Sequence, residues 1–382
     1  MTQVSGDWME GAAQGVCAML TDAGFAAHFV GGCVRNALLG APVADVDIAT
    51  NATPEIVSNL AKDAGLTPVP TGIEHGTVTV VADGIPFEVT TWRRDVETDG
   101  RRAVVAFADR LEDDARRRDF TMNALYATAT GEVVDPLGGM DDLRARRVRF
   151  IDDAADRIRE DYLRILRFFR FHAWYGDPRE GMDPDALAAI AELAEGLDGL
   201  SRERVGAEML KLLAAPDPAP ALATMAQVGV LGRILPGADP RAVPLLVHFE
   251  ERAGLSPDPI RRLATLGGED HKEALRLSNT DDKRLAVLLS LRGDPMRPKA
   301  LGYRVGAEAG QSVLLINSAL LETDFPPDAM ADAVGGAAQV FPVSAADLMP
   351  ALQGPALGER LRALEDRWIA SDFTLTKEEL LA

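Results

Sequence analysis

The chain has 382 residues, 47% of them apolar, and a formal net charge of −19 from 59 acidic and 40 basic residues. That length allows more than one domain, and no uncharged apolar run approaches the length that spans a membrane. So acidic a balance argues against indiscriminate binding to nucleic acid; an RNA-binding chain of this charge must concentrate its basic residues locally.

In chain order, Phe29 and Val30 end an apolar run that reads as a buried strand, Gly31 and Gly32 form a tight turn, and Val34 to Leu39 reads as a helix. Free N–H groups at a helix N-terminus favour phosphate, and Arg35 offers a forked donor to a phosphate oxygen. Taken alone, the same residues also fit a plain strand–turn–helix junction with a surface arginine. Asp45 and Asp47 follow in an apolar run. On a strand, residues two apart face the same way. Both carboxylates then point to one side, with Val46 and Ile48 packed on the other. Two adjacent like charges call for a cation, and Mg2+ commonly takes one or two carboxylates plus substrate phosphates. The turn and the aspartates together suit a nucleoside triphosphate with its magnesium.

Val78 to Val81, the Asp83-Gly84 turn and Phe87 to Thr91 read as a hairpin, with further short strands at Ala103 to Phe107 and Val133-Val134. Glu88, on the hairpin, is either a third carboxylate for the metal pair or a structural glutamate. His75, in a turn between Glu74 and Gly76, reads as structural. After about residue 150 the pattern is helical, broken at Pro216 to Pro220, Gly254 to Pro259 and Gly293 to Pro298. Candidate basic clusters are Arg116 to Arg118; Arg144, Arg146, Arg147 and Arg149; Arg164, Arg167 and Arg170; and Arg292, Arg297, Lys299 and Arg304. Each also fits a salt-bridged surface. Cys17 and Cys33 are the two cysteines and lack CxxC spacing, against a disulfide framework or zinc. Residues 1–7 carry no signal pattern. A cytoplasmic enzyme with no membrane association is expected.

These motifs recur in an order that resembles the class II nucleotidyltransferases of the polymerase-β superfamily, the group of CCA-adding tRNA nucleotidyltransferases and bacterial poly(A) polymerases. The diglycine–arginine turn and Asp45-Val-Asp47 are followed by Thr71-Gly-Ile-Glu-His-Gly-Thr-Val-Thr79, Phe87-Glu-Val-Thr-Thr-Trp-Arg93, Asp113-Asp-Ala-Arg-Arg-Arg-Asp-Phe-Thr-Met-Asn-Ala124, Asp135-Pro-Leu-Gly-Gly139 and Glu160-Asp-Tyr-Leu-Arg-Ile-Leu-Arg167. Ser201-Arg-Glu-Arg-Val-Gly-Ala-Glu-Met-Leu-Lys211 is similar to the family's neck. Two features depart from the pattern. Asn36 follows Arg35 where the family often has aspartate, and residues 93–102 match the family's flexible loop only loosely.

The resemblance implies an α+β fold: an N-terminal polymerase-β-like head, with a mixed sheet and helices, followed by an all-α C-terminal part. The expected division is a catalytic head over 1–140, a helical neck for nucleotide selection over 141–215, and a helical body and tail for tRNA binding over 216–382. Asp45 and Asp47 hold Mg2+, and Gly31, Gly32, Arg35 and Arg118 meet the triphosphate. Asp119 and Asn123, four apart, hold the ribose or fix Arg118, and Phe120 is core. Asp161 and Arg164, neighbours if the run from Glu160 to Arg170 is one helix, imitate a template base. A carboxylate accepts and a guanidinium donates, so the pair suits C and A, which present a donor beside an acceptor, and not U or G. Arg167 and Arg170 face phosphates or shape the pocket. The expected activity is template-independent addition of C, C and A to the 3′ end of tRNA from CTP and ATP, with pyrophosphate release.

Pro70-Thr-Gly-Ile-Glu-His-Gly-Thr77 favours the CCA-adding branch; there is no basic segment of the poly(A) polymerase type, and Glu269-Asp-His271 has the wrong order for a phosphohydrolase motif. A poly(A) polymerase, a partial CC- or A-adding enzyme, and an inactive RNA-binding protein on the same scaffold are the alternatives.

Overall fold

A computed structural model describes residues 2–99, 102–349 and 351–382. The chain divides into two compact units, residues 1–208 with 227–233, and residues 209–226 with 234–382.

The first unit is built on a mixed sheet. Its strands are β1 (His28–Val30), β2 (Asp47–Thr50), β3 (Thr67–Gly72), β4 (Thr77–Ala82) and β5 (Ile85–Thr91). The sheet order among the described residues is β3-β4-β5-β2-β1 and then two strands from further along the chain, Tyr126–Thr128 and Val133–Val134. Among the described residues, only the β2–β5 pair of this sheet is parallel. Alternation along β4 sends Val78, Val80 and Ala82 into the core and leaves Thr77, Thr79 and Val81 half-buried. The predicted hairpin is β4–β5, turning at Asp83, which tolerates φ 52°, and Gly84.

Two more strands, β6 (Arg93–Asp99) and β7 (Arg102–Phe107), pair antiparallel as a separate ribbon. This is the segment expected as the family's flexible loop; its Gly100 and Arg101 lie outside the described residues. The strands at Tyr126–Thr128 and Val133–Val134 are β8 and β9.

The helices of this unit are α1 (Ala12–Asp22), α2 (Gly32–Leu39), α3 (Pro54–Asp63), α4 (Leu111–Arg116), α5 (Gly139–Arg144), α6 (Ala154–Glu160), α7 (Leu163–Tyr175), α8 (Pro184–Leu193) and α9 (Arg202–Leu213), the last of which crosses the division between units. A buried aromatic group joins Phe120 and Phe150 to Phe168 and Phe171 of α7, so Phe120 is core as expected.

The predicted single helix from Glu160 to Arg170 is broken. α6 stops at Glu160, Asp161 is extended (φ −154°, ψ 106°), and α7 starts at Leu163. The Asp161 side chain causes the interruption: its Oδ1 accepts from Leu163 N at 3.1 Å, competing with the helical bond. Asp161 and Arg164 are therefore not partners on one helical face.

The described residues of the second unit form helices joined by turns, with an isolated antiparallel bridge between Ala238 and Gly267. The predicted breaks fall between helices: Pro259 and Pro298 each open one, at the position where the missing proline N–H costs nothing. Its interior carries a charge network. Glu250 accepts from Arg261 and Arg262, and Arg262 is also bonded to the backbone carbonyls of Leu213, Ala215 and Pro216. These side chains are almost wholly buried, so each charge is matched where water cannot reach it. No helix of the described chain is long and apolar enough to cross a membrane.

Candidate active site

Strand register assembles the site. Val30 of β1 lies opposite Asp47 of β2, Asp47 opposite Glu88 of β5, and Val30 opposite Tyr126 of β8. Directly opposed residues share a face of the sheet. Tyr126, Val30, Asp47 and Glu88 therefore form one row, buried at Tyr126 and open at Glu88. The diglycine turn leaves β1 immediately after Val30, so it stands at the same edge as Asp47.

Gly31 takes φ 73°, a backbone conformation that favours glycine, and its N–H bonds to Leu125 O at 3.0 Å. The first bond of α2 runs from Arg35 N to Gly31 O at 2.9 Å. The N–H groups of Gly32, Cys33 and Val34 are thereby left without an intrahelical acceptor, in the arrangement that suits an anion.

Arg35 does not join them. It is 5% exposed, and its guanidinium donates to Asn123 Oδ1 and Tyr175 OH, each at 2.8 Å, and to Asn36 Oδ1. The Tyr175 ring centroid lies 4.0 Å from its central carbon. The expected phosphate contact gives way to a pin that ties α2 to α7, because the fork already has acceptors and an aromatic face. Asn36 completes the turn by donating to Pro42 O at 2.8 Å.

Arg118 is the cation at the turn. Its Nε donates to Tyr126 OH at 3.1 Å and its Nη2 to Asp114 Oδ2 at 3.1 Å, and a methyl group on Gly31 would come within 3.4 Å of its Nη1. Asp114, 1% exposed, also pairs with Arg117 and accepts from Tyr126 OH at 2.7 Å. Burial would raise the Asp114 pKa, but Arg118 and Arg117 hold it down at about 2.

The carboxylates differ in setting. β2 begins at Asp47, so Asp45 precedes the strand and is exposed, while Asp47 is half-buried and Ile48 fully buried. Burial pushes the Asp47 carboxyl up to about 6, with Glu88 and then Asp45 adding repulsion and Arg118 opposing it. Carboxylates gathered with so little neutralisation fit a divalent cation. Among the described residues no three His, Cys, Asp or Glu side chains converge into a complete metal site, so a bound ion would need substrate oxygens to fill its shell, as Mg2+ commonly does.

Asp119 and Asn123 pair with each other (Asn123 Nδ2 to Asp119 Oδ1, 3.1 Å), but they do not fix Arg118. Asp119 turns toward α7, where its Oδ2 accepts from Arg167 Nε at 2.7 Å. Arg170 Nε donates to Glu208 Oε2 at 2.6 Å. Both arginines, expected near phosphates or the pocket wall, have carboxylate partners within the fold. Arg164 donates to Glu160 Oε2 at 2.5 Å and to the carbonyl oxygens of Arg157 and Arg117. Asp161 pairs instead with Arg204 of α9, Nη2 to Oδ2 at 2.5 Å. Most of the other candidate basic residues are also paired: Arg116 with Asp152, Arg147 and Arg149 with Asp142, Arg304 with Glu365 and Asp366.

Sequence reasoning missed Asp114, Tyr126, Glu160, Arg204 and Glu208. The spacing of Asp114 from Arg117 and Arg118, three and four residues, was a usable helical signal. Glu160 carries the same kind of signal, three residues from Arg157 and four from Arg164, whereas Tyr126, Arg204 and Glu208 depend on tertiary contacts.

The Asp135-Pro-Leu-Gly-Gly139 motif also has a local explanation. Asp135 accepts from Gly139 N at 2.8 Å and Met140 N at 3.0 Å, starting α5, and a Cβ on Gly139 would lie 2.2 Å from Thr121 O. Gly139→Ala is expected to force the α5 backbone away from the Arg118–Asn123 segment, at a cost of about 1–3 kcal/mol, seen as a lowered Tm in thermal unfolding.

Comparison with known proteins identifies the family. Residues 27–149 match the poly A polymerase head domain family, and residues 181–241 match the family described as "Probable RNA and SrmB-binding site of polymerase A". The chain is 33% identical over 376 residues to CCA tRNA nucleotidyltransferase 1, mitochondrial, of Danio rerio, covering 94% of this chain and 86% of that one. It is 36% identical over 334 residues to the CCA-adding enzyme of Geobacillus stearothermophilus, covering 82% and 79%. The solved Bacillus stearothermophilus CCA-adding enzyme in complex with CTP superimposes with a TM-score of 0.72 at 30% identity, over 94% of this chain and 93% of that one. With a relative 33% identical over 94% of this chain, and with the diglycine turn and the carboxylate row inside the matched head domain, the chain belongs to the CCA-adding tRNA nucleotidyltransferases.

Proposed function

We propose that the protein adds C, C and A to the 3′ end of tRNA without a nucleic-acid template, drawing on CTP and ATP and releasing pyrophosphate. The observation that carries this reading is the row Val30–Asp47–Glu88 at the diglycine turn, with Arg118 beside it.

In this reading Asp47 and Asp45, with Glu88 alongside, hold the divalent metal, Mg2+. A bound metal supplies Lewis-acid activation of the tRNA 3′-hydroxyl and alignment of the triphosphate. The N–H groups at the start of α2 and the Arg118 guanidinium receive the phosphates, and Arg118 offsets charge on the departing pyrophosphate. Gly31 admits the phosphate chain close to the backbone, and Arg35 and Asn123 hold the turn rigid behind it. Asp161 and Arg164 read the base as acceptor and donor. Asp119 and Arg167 brace the turn against α7.

Residues 1–140 act as the catalytic part, 141–215 as the selecting part, and 216–382 as the tRNA-binding part; the family match over 181–241 supports an RNA-binding role around that junction. A cytoplasmic location belongs to the same proposal, supported by two free, buried thiols suited to a reducing compartment.

The test is nucleotide addition resolved to single residues on tRNAs ending at the discriminator base, at C and at CC. With Mg2+ and each triphosphate in turn, C, C and then A are expected, with U and G refused. Arrest at CC, or action on the CC-ended tRNA alone, would mark a partial enzyme. Long A tails on any RNA would mark a poly(A) polymerase, and tight tRNA binding without addition an inactive scaffold.

A further inference from the structure

Asp161 sits at a break between two helices, with an extended backbone whose carbonyl accepts from Arg164 N at 3.0 Å. Two contacts fix its carboxylate, Leu163 N on Oδ1 at 3.1 Å and Arg204 Nη2 on Oδ2 at 2.5 Å. Arg164 has a separate set of holders: Glu160 Oε2 at 2.5 Å, Arg157 O at 2.9 Å and Arg117 O at 3.2 Å. The acceptor and the donor assigned to base reading are thus aligned by different parts of the chain, and the acceptor depends on α9. One helical turn beyond Arg204, Glu208 accepts from Arg170 at 2.6 Å, so α9 engages this segment at two points four residues apart.

We propose that Arg204 is a positioning residue for nucleotide selection: by holding one oxygen of Asp161 it keeps that carboxylate turned away from Arg164, so that acceptor and donor both stay available to a base. This rests on the assignment of Asp161 and Arg164 as the base readers made above. An ionised carboxylate has about four lone-pair sites, so Asp161 retains acceptor capacity beyond its two protein contacts. Without Arg204, the next arginine along the chain toward the C-terminus is Arg164, three residues on. A carboxylate that swings onto Arg164 occupies the donor and turns the acceptor from the base at the same time. The loss then falls on discrimination between C or A and U or G, rather than on triphosphate binding, which other residues supply.

The experiment measures kcat/KM for CTP and for UTP on the full-length protein, with tRNA ending at the discriminator base, for the unsubstituted enzyme, Arg204→Gln and Arg204→Lys. Arg204→Gln is expected to lower the CTP-to-UTP ratio by about tenfold, the equivalent of one well-placed hydrogen bond. Arg204→Lys keeps a charge on a shorter reach, and its ratio is expected to fall between the two. Equal losses for CTP and UTP, leaving the ratio unchanged, would overturn the proposal and make Arg204 a structural tie. If Arg204→Gln does not fold, Arg204→Lys decides: a reduced ratio supports the proposal, and a full ratio with a lowered Tm overturns it. An unsubstituted enzyme that fails to refuse UTP would instead remove the base-reading assignment on which the proposal stands.

Discussion

Replacing Asp47 by alanine is expected to abolish nucleotide addition while leaving tRNA affinity intact. Asp47 stands between the turn-bearing strand β1 and Glu88 on β5, half-buried and pressed toward its neutral form by burial and by the neighbouring carboxylates. In the proposed mechanism it is the carboxylate that anchors the metal. Losing several kcal/mol of transition-state stabilisation corresponds to about a thousandfold or more in rate. The Asp45→Ala, Asp47→Ala double variant tests the same point with both aspartates removed. Filter binding should show tRNA held as tightly as by the unsubstituted protein. Single-turnover addition on CC-ended tRNA should fall below detection. A variant that retains addition would move the metal-binding role to other residues. Parallel loss of tRNA binding would mean that Asp47 supports the fold.

The second large effect concerns stability. Asp114 is buried with Arg117, Arg118 and Tyr126 all bonded to it. Asp114→Ala leaves two guanidinium groups, each with a side chain 15% exposed, without their common partner. Removing one member of a buried charge pair typically costs about 3–5 kcal/mol. Urea unfolding should show that loss, and addition should weaken as well, because Arg118 loses its support beside Gly31. The pH dependence has a fixed sign. The folded-state pKa of Asp114 is lowered from 3.8 to about 2. Its contribution is therefore fully present above the unfolded value and is lost as pH falls from about 4 toward about 2. Asp119 is depressed in the same direction, with burial opposed chiefly by Arg167, and adds to the same acid limb. Asp114→Asn should flatten that limb without altering stability changes above pH 5. An acid limb unchanged by the substitution would show that Asp114 is not among the groups that produce it.

Much of this arrangement was legible in the chain. Local physical chemistry fixes the diglycine turn, the start of α2, the β4–β5 hairpin and the proline-opened helices, since each depends on residues a few positions apart. The motif order identified the family, and the positions of Asp47 and Glu88 followed once two short strands were recognised. What a single sequence could not settle was partner choice among charged side chains. Asp161 has Arg164 three residues away and Arg204 forty-three away, and it pairs with the distant one. Arg35 looked like a phosphate donor, yet Asn123 and Tyr175, 88 and 140 residues on, already engage its guanidinium. Arg167 and Arg170 likewise find carboxylates 48 and 38 residues away.

The reason is physical. Helix caps, turns and strand alternation are set by backbone geometry within a few residues, so sequence alone determines them. A guanidinium on a long, flexible stem can reach several carboxylates, and its partner depends on which elements the folded core brings within about 3 Å and shields from water. In a chain with so many charged residues, the sequence determined the turns and several of the strands and marked the candidate carboxylates. The tertiary structure alone decided which arginines remain for a ligand.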